Sequence, residues 1–245
     1  MLRVHAMTNM IDGPYLENIL ALERSLYIKD VPFFLHLDNI AWSWNRRLMW
    51  EWEVAKNHPN DDLVFIDAMD FLFVGERVEL EEIVAAQPLL FSCDCGPAPW
   101  PNKELASFYE ARRPRLTKWC WLNGCGPCGR GKVIAEAIQW GMERYPPVRL
   151  NDTDQLFWSK AYLEGWGELD QQCRLHQVLY DAEATPERVT LHLAYKDGRV
   201  INTVTGTKPQ FLHATGQSWA AIPKELIPGP VTRGAVRWYG KTTTK

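Results

Sequence analysis

The stretch LVFIDAMD at residues 63–70 joins a run of four strand-forming apolar residues to two carboxylates. A short, continuous apolar run is typical of a strand that helices cover on both faces. Outward from it, strands are predicted at 2–7, 31–37 and 89–92, and helices at 14–26, 43–54 and 79–86. This alternation predicts a parallel, doubly wound sheet whose ligand crevice opens at the carboxyl ends of the strands.

The second half of the chain has a different pattern. Gly, Pro and Cys residues crowd 93–131, where loops are expected, and helices are predicted at 103–111, 133–144 and 154–163. Short strands at 189–195 and 199–204 flank Asp197-Gly198, a pair that favours a hairpin turn. We therefore predict an α/β protein with a Rossmann-like N-terminal half and an α+β C-terminal half. One domain is expected over 1–222 and an irregular basic tail over 223–245.

Composition excludes several classes of protein. The chain has 245 residues, of which 46% are hydrophobic and 23% charged, with a net charge of −3, and such a composition excludes a disordered protein. There is no run of about 18 apolar residues and no signal-peptide pattern, so a cytoplasmic location away from the membrane is expected. In that compartment the six cysteines are expected to be free or metal-bound.

Two carboxylates, Asp67 and Asp70, follow the central predicted strand three residues apart. Hard divalent cations prefer oxygen ligands. A cation held there could neutralise a departing diphosphate as a Lewis acid. Aspartate is also common in turns after strands, so a turn without a cation is the alternative.

Five motifs follow one another along the chain: FIDAMDFLFVG (65–75), LFSCD (90–94) with Trp100-Pro101, WLNGCG (121–126), NDTDQLF (151–157), and 202–206 with FLHATG (211–216). In sequence and order they resemble the glycosyltransferase domain of the procollagen lysyl hydroxylases and, more loosely, the procollagen galactosyltransferases. The resemblance covers Val4 to about Gly216. It implies a GT-A-like glycosyltransferase fold with a mixed sheet, a UDP-sugar donor and a manganese ion.

The resemblance also implies a metal-ligand set. The two metal aspartates of the family fall on Asp67 and Asp70, and its distant metal histidine falls on His213. Mn²⁺ or another borderline divalent cation accepts imidazole as well as carboxylate. Without the resemblance, His213 would be interpreted as a hydrogen-bonded core histidine.

Donor-binding positions carry over from the family in the same way. Ala6 and Thr8 lie at the strand end that contacts uridine, and Arg46 falls where a basic residue faces the diphosphate. A guanidinium can bind two phosphate oxygens at once, although a solvated helix face beside Arg47 is an equal alternative for Arg46. The remaining donor positions are Asp67, Trp100 in the sugar pocket, Asn123, Gly124 and Gly216.

Two departures from the family pattern concern the donor pocket. Gly124 replaces a serine of the family, and residues 213–217 read HATGQ where the family has His-Gly-Asn-Gly-Pro. The changed loop suggests that the pocket prefers another sugar.

Sugar transfer needs a base or an electrostatic partner for the acceptor hydroxyl, and carboxylates fill such roles in sugar chemistry. Asp94, Asp152 and Asp154 are the candidates for this catalytic role. Asp152 or Asp154 could instead cap the helix that follows.

The cysteines offer a second metal hypothesis. Cys93, Cys95, Cys125 and Cys128 could hold a structural Zn²⁺ if their two segments met. The family that the chain resembles has no zinc there, and the spacing within each pair of cysteines is short. Scattered free thiols are therefore the favoured interpretation.

A basic segment, residues 112–132, suggests what the acceptor is. It lacks carboxylates and contains Arg112, Arg113, Arg115, Lys118, Arg130 and Lys132, interleaved with Trp119 and Trp121, and the tail adds Arg233, Arg237, Lys241 and Lys245. Cations attract phosphates and aromatic rings stack on extruded bases, so a hydroxymethylated pyrimidine in DNA is hypothesised as the acceptor. The alternatives are a solvated loop or a diphosphate contact for the basic segment, and a protein or small hydroxylated acceptor. A non-catalytic nucleotide-sugar-binding module is the rival function.

Overall fold

The computed structural model describes residues 1–9, 13–37, 43–95, 116–145, 154–179, 192–214, 219 and 222–229. The strands are β1 Leu2–Thr8, β2 Phe33–Leu37, β3 Asp62–Asp67, β4 Phe71–Phe73, β5 Leu89–Asp94, β6 Trp121–Arg130, β7 Glu168–Leu169, β8 His176–Val178, β9 Leu193–Lys196, β10 Arg199–Asn202 and β11 Phe211–His213. The helices are α1 Gly13–Ile28, α2 Trp44–Asn57, α3 Arg77–Ala85, α4 Gly131–Arg144 and α5 Asp154–Leu163, with a 3₁₀ turn at Lys224–Leu226.

The main sheet has six strands in the order β2-β1-β3-β6-β5-β7. Strand β1 pairs in parallel with both β2 and β3, and the predicted alternation of strands and helices in this part is confirmed. Strand β6 runs antiparallel to both β3 and β5, which makes those two strands parallel to each other. The sheet is therefore mixed, and the carboxyl ends of β1, β3 and β5 lie at one edge.

Strand β6 corrects the prediction of loops over 93–131. It is almost wholly buried, and its glycines allow two close backbone approaches. A Cβ on Gly126 would lie 2.4 Å from the carbonyl oxygen of Phe65, and one on Gly129 would lie 2.3 Å from that of Pro88. Both glycines have positive φ, at 132° and 149°, which side chains disfavour. Glycine-rich composition here therefore serves packing between strands.

Helices cover both faces of the main sheet. Because neighbouring residues of a strand point to opposite faces, Val64 and Ile66 pack with α1 and α3, whereas Leu63 and Phe65 pack with α2, α4 and α5. Helix α2 begins after Ser43, whose hydroxyl accepts a hydrogen bond from the backbone N–H of Arg46 at 3.3 Å, as predicted.

A second, three-stranded sheet has the order β4-β11-β8. Strand β11 is antiparallel to β4 and places His213 opposite Phe71. The predicted hairpin is formed by β9 and β10, with Asp197 and Gly198 both at positive φ, 52° and 74°. Within the described ranges, no helix combines the length and the apolar character needed to cross a bilayer.

Candidate metal and donor site

Asp67, Asp70 and His213 meet where the two sheets join. Asp67 ends β3, Asp70 lies in the turn to β4, and pairing of β11 with β4 brings in His213. One ligand atom from each residue lies within 4.8 Å of the other two. Among the described residues, these three form the one group of three or more His, Cys, Asp or Glu side chains whose ligand atoms meet this spacing.

The turn that carries the acids is held from several sides. The carbonyl oxygen of Met69 accepts hydrogen bonds from Asn18 Nδ2 at 3.2 Å and from Trp219 Nε1 at 2.6 Å. The backbone N–H of Ala214 donates to the carbonyl oxygen of Asp70 at 2.6 Å. These bonds fix the turn to α1 and to the end of β11, so the spacing of the acids and the histidine is built into the fold.

His213 has the environment of a neutral metal ligand. It is 3% exposed, and its ring stacks on that of Phe71 with the centroids 4.2 Å apart. Burial lowers the pKa of His213 well below its usual range, and the charges of His176 and Arg47 lower it further. Its Nδ1 is buried without a hydrogen-bond partner, which is costly unless a cation satisfies it. The residues present therefore fit a divalent cation.

The two carboxylates respond to burial as well. Burial raises the pKa of Asp67, and the guanidinium of Arg47 opposes that rise. Burial raises the pKa of Asp70 to about 7, the charge of Asp67 adds to the rise, and Arg47 again opposes it. A bound cation would restore both ionised forms because it favours negative charge nearby.

Arg47 is the main residue that the sequence analysis missed. It is 1% exposed, although it was considered only as a neighbour of Arg46 on a solvated helix face. Its Nε donates to Glu51 at 3.1 Å, its Nη1 donates to Asp67 Oδ1 at 2.8 Å, and its Nη2 donates to the carbonyl oxygen of Cys125. The spacing of four between Arg47 and Glu51 was the one available signal, and it does not distinguish a buried pair from an exposed one.

Three donor positions predicted from the sequence lie around the same sheet edge. Ala6 is fully buried inside β1, so its side chain contributes packing to the core. Thr8 ends β1, next to Met7, which is opposite Asp67 in the sheet. Arg46 is half-buried at the start of α2.

Asp94 and Asn123 form a buried polar pair at the end of β5. Asn123 Nδ2 donates to Asp94 Oδ2 at 2.8 Å, and Asn123 Oδ1 accepts from the backbone N–H of Cys125 at 2.9 Å. Burial raises the pKa of Asp94 to about 7, with the Asn123 hydrogen bond opposing the rise. Gly124 has a packing role, since a Cβ there would lie 2.6 Å from Cβ of Gln155 at the start of α5.

Asp154 begins α5 and is buried. Its Oδ1 accepts from the backbone N–H of Gln155 at 2.8 Å, and its Oδ2 lies 3.2 Å from Nη1 of Arg47. Burial raises the pKa of Asp154 to about 7, while Arg47 lowers it and Asp67 raises it. Asp154 therefore combines a helix-terminal hydrogen bond with an ion pair.

Several predicted positions lie outside the described residues. They are Trp100, Asp152 and Gly216 of the site, the helix 103–111, the cations Arg112, Arg113 and Arg115, and the tail cations Arg233, Arg237, Lys241 and Lys245.

The zinc hypothesis is wrong for the set of cysteines proposed. Cys93 packs with Trp119 and Cys173, whereas Cys125 and Cys128 lie in the main core. All four proposed ligands are described, and no three of their sulfur atoms lie within 4.8 Å of one another. Strand pairing explains this, because in β5 and β6 Cys93 is opposite Leu122 and Cys128 is opposite Leu90.

The stacking role suggested for Trp119 and Trp121 is also wrong. They are 2% and 8% exposed, so neither ring offers a face to an extruded base. Arg130 and Lys132 each have an acidic side chain within ion-pair distance. Two cations of the described part of the basic segment therefore have acidic partners within the protein.

The fold is also found among solved structures. One of them is described as the "crystal structure of a glycosyltransferase involved in the glycosylation of the major capsid of PBCV-1", and it superposes with a TM-score of 0.52 and 10% identity over 90% of this chain and 96% of that one. The fold is thus α/β and GT-A-like, as predicted. Because residues 46–224 also match a family of glycosyltransferase domains, the protein belongs to the glycosyltransferase class.

Residues 46–224 match the family model described as "PLOD GT domain", and the chain belongs to this family. Procollagen-lysine,2-oxoglutarate 5-dioxygenase 2 of Homo sapiens is 28% identical over 176 residues, which are 67% of this chain and 22% of the relative. The Mus musculus protein of the same name is 29% identical over 167 residues, 64% of this chain and 21% of the relative. The chain spans about a fifth of the length of these relatives, and the resemblance predicted from its motifs is confirmed.

Proposed function

We propose that the protein transfers a hexose from a UDP-sugar to a hydroxyl acceptor, with a divalent cation, Mn²⁺ by preference, held by Asp67, Asp70 and His213. The observation that carries this proposal is the grouping of the three ligand atoms within 4.8 Å, with one imidazole nitrogen buried and unpartnered. Two carboxylates and an imidazole suit a borderline cation. When bound, the cation supplies Lewis-acid stabilisation of the departing diphosphate.

The neighbouring residues take distinct roles in this proposal. Thr8 lies at the strand end nearest the acids and contacts the nucleoside, and Arg46 binds diphosphate oxygens. Asp94 is the preferred base for the acceptor hydroxyl, because burial raises its pKa to about 7 against the opposing hydrogen bond from Asn123. Asp154 is less suited to that role because it is already paired with Arg47.

The test is metal-dependent hydrolysis or transfer of UDP-glucose and UDP-galactose, measured as UDP release. We expect activity with Mn²⁺, loss of activity with EDTA, and a fall of more than 100-fold in Asp67→Ala, because the proposed charge stabilisation is removed. Glu53→Ala, on the exposed face of α2, is the matched control and should keep full activity. Full activity in a folded Asp67→Ala variant contradicts the proposal.

The rival function has a different signature. A non-catalytic nucleotide-sugar-binding module would bind UDP and Mn²⁺ in calorimetry and release no UDP from any donor or acceptor.

The acceptor is tested by presenting hydroxymethylated DNA, a hydroxylysine peptide and simple hydroxylated glycosides in parallel. A DNA acceptor stays a prediction from the basic segment. The burial of Trp119 and Trp121 gives that prediction no support. Filter binding across a salt series is the direct measurement, since phosphate contacts make affinity fall steeply with salt. No affinity for DNA at low ionic strength removes DNA from the proposal.

A further inference from the structure

The guanidinium of Arg47 joins four elements of the fold in one buried cluster. It lies on α2 with Glu51, and it contacts Asp67 at the end of β3, the carbonyl oxygen of Cys125 in β6, and Asp154 at the start of α5. The side chains of Arg47 and Glu51 are 1% and 0% exposed. A buried charge is tolerated when it is paired and hydrogen-bonded, and the planar fork of arginine meets several acceptors at once.

The cluster contains more acidic side chains than basic ones. One guanidinium faces three carboxylates, those of Glu51, Asp67 and Asp154. Of the three, Asp67 also adjoins Asp70 and His213. Arg47 therefore contacts the one acid of the cluster that belongs to the proposed metal site.

We infer that Arg47 is a positioning residue for the metal site: its Nη1 fixes the carboxylate of Asp67 at Oδ1 and ties that carboxylate to the first turn of α5 through Asp154. The inference rests on the metal role proposed for Asp67. Groups that orient metal ligands by hydrogen bonds commonly set metal affinity. Arg46, half-buried one residue earlier, remains the residue assigned to the diphosphate.

Two physical effects of replacing Arg47 have opposite signs, and this makes the inference testable. Removing a positive charge beside a cation site strengthens cation binding by Coulomb's law. Losing the bond that orients Asp67 weakens it, by roughly 10- to 100-fold for a group that supports a metal ligand. The sign of the change in affinity therefore separates positioning from simple charge repulsion.

The experiment measures Mn²⁺ affinity by electron paramagnetic resonance titration of the full chain, with circular dichroism as the check on folding. Arg47→Lys keeps the charge and loses the fork, and Arg47→Met loses both. We expect both to bind Mn²⁺ about 10-fold or more weakly, with an altered spectrum of the bound ion. Lys56→Met, an exposed change on the same helix, is the control and should bind as the wild type does.

Unchanged affinity in Arg47→Lys, or tighter binding in Arg47→Met, overturns the inference. If the single variants unfold, the pair Arg47→Met with Glu51→Gln replaces the guanidinium together with its acidic partner on α2 and is held to the same expectation. Asp67→Ala distinguishes the two proposals. If it binds Mn²⁺ like the wild type, the metal site itself is wrong, whereas its loss of Mn²⁺ alongside normal binding by Arg47→Lys rejects only the role of Arg47.

Discussion

Three aspartates at the carboxyl edge of the main sheet, Asp70, Asp94 and Asp154, each have a pKa raised to about 7, and burial is the main cause in all three. Carboxyl groups poised near neutrality can hold or release a proton at small cost. At Asp70 a proton would compete with the proposed metal ion for the same oxygens.

The affinity for Mn²⁺ should therefore depend on pH. Below a pH of about 7, Asp70 must lose a proton before it can bind the ion. The dissociation constant for Mn²⁺ should therefore rise by up to about tenfold for each unit by which the pH falls. His213 adds no such dependence in this range, because its pKa is already far below 6.5. Titrations with Mn²⁺ alone at pH 8, 7 and 6 measure the effect, and an affinity that is constant over that range would count against Asp70 as a ligand.

At the scale of single elements, β6 depends on glycines that are placed for contacts far apart in sequence. Gly126 approaches Phe65 in β3, and Gly129 approaches Pro88 just before β5. These approaches allow β6 to enter between two strands that the chain forms earlier.

Gly126→Ala should destabilise the protein by about 2–4 kcal/mol, because a Cβ would collide with the Phe65 carbonyl and φ is 132°. Urea unfolding measures the change in free energy. Gly229→Ala is the control, since a Cβ there has no atom within 4 Å, and its stability should stay close to that of the wild type. Equal stability of the two variants would show that β6 does not pack as described.

Elements whose signals are local could be predicted from the sequence. The apolar run 63–66 specified β3, and the helix predicted at 154–163 begins and ends at the observed residues. Strand β6 could not be predicted, because the reason for Gly126 lies in a carbonyl group of another strand. Arg47 was missed for the same reason, since three of its four partners lie on other elements.

At the scale of the whole molecule, the candidate site is a junction between two sheets. The main sheet supplies Asp67, the turn from β3 to β4 supplies Asp70, and the small sheet supplies His213. Neither sheet alone contains the full ligand set. The family motifs indicated the three ligands from the sequence. How the two sheets meet could not be predicted, because it depends on the pairing of β4 with β11.

A pair of histidines on neighbouring strands, His5 in β1 and His36 in β2, affects the stability of the protein in acid. His5 Nδ1 lies 3.0 Å from His36 Nε2, and burial lowers the pKa of His5 to about 2 and that of His36 to about 4. Unfolded histidine titrates near 6.5, so below that pH the unfolded chain binds more protons and stability falls as pH falls.

His36→Gln should therefore reduce the loss of stability between pH 7.5 and 5.5 by about 1 kcal/mol. Denaturant unfolding of both proteins at the two pH values gives the comparison. The buried carboxyl groups titrate in both proteins, so the difference between them isolates His36. Equal losses would mean that His36 is not held neutral in the fold.

The spread of the ligands along the chain has a consequence for biosynthesis. Asp67 and Asp70 leave the ribosome long before His213, which arrives on the last strand of the small sheet. A nascent chain that contains Asp67 and Asp70 but not yet His213 has only two of the three proposed metal ligands. The complete set of proposed ligands can therefore form only after distant parts of the chain have come together.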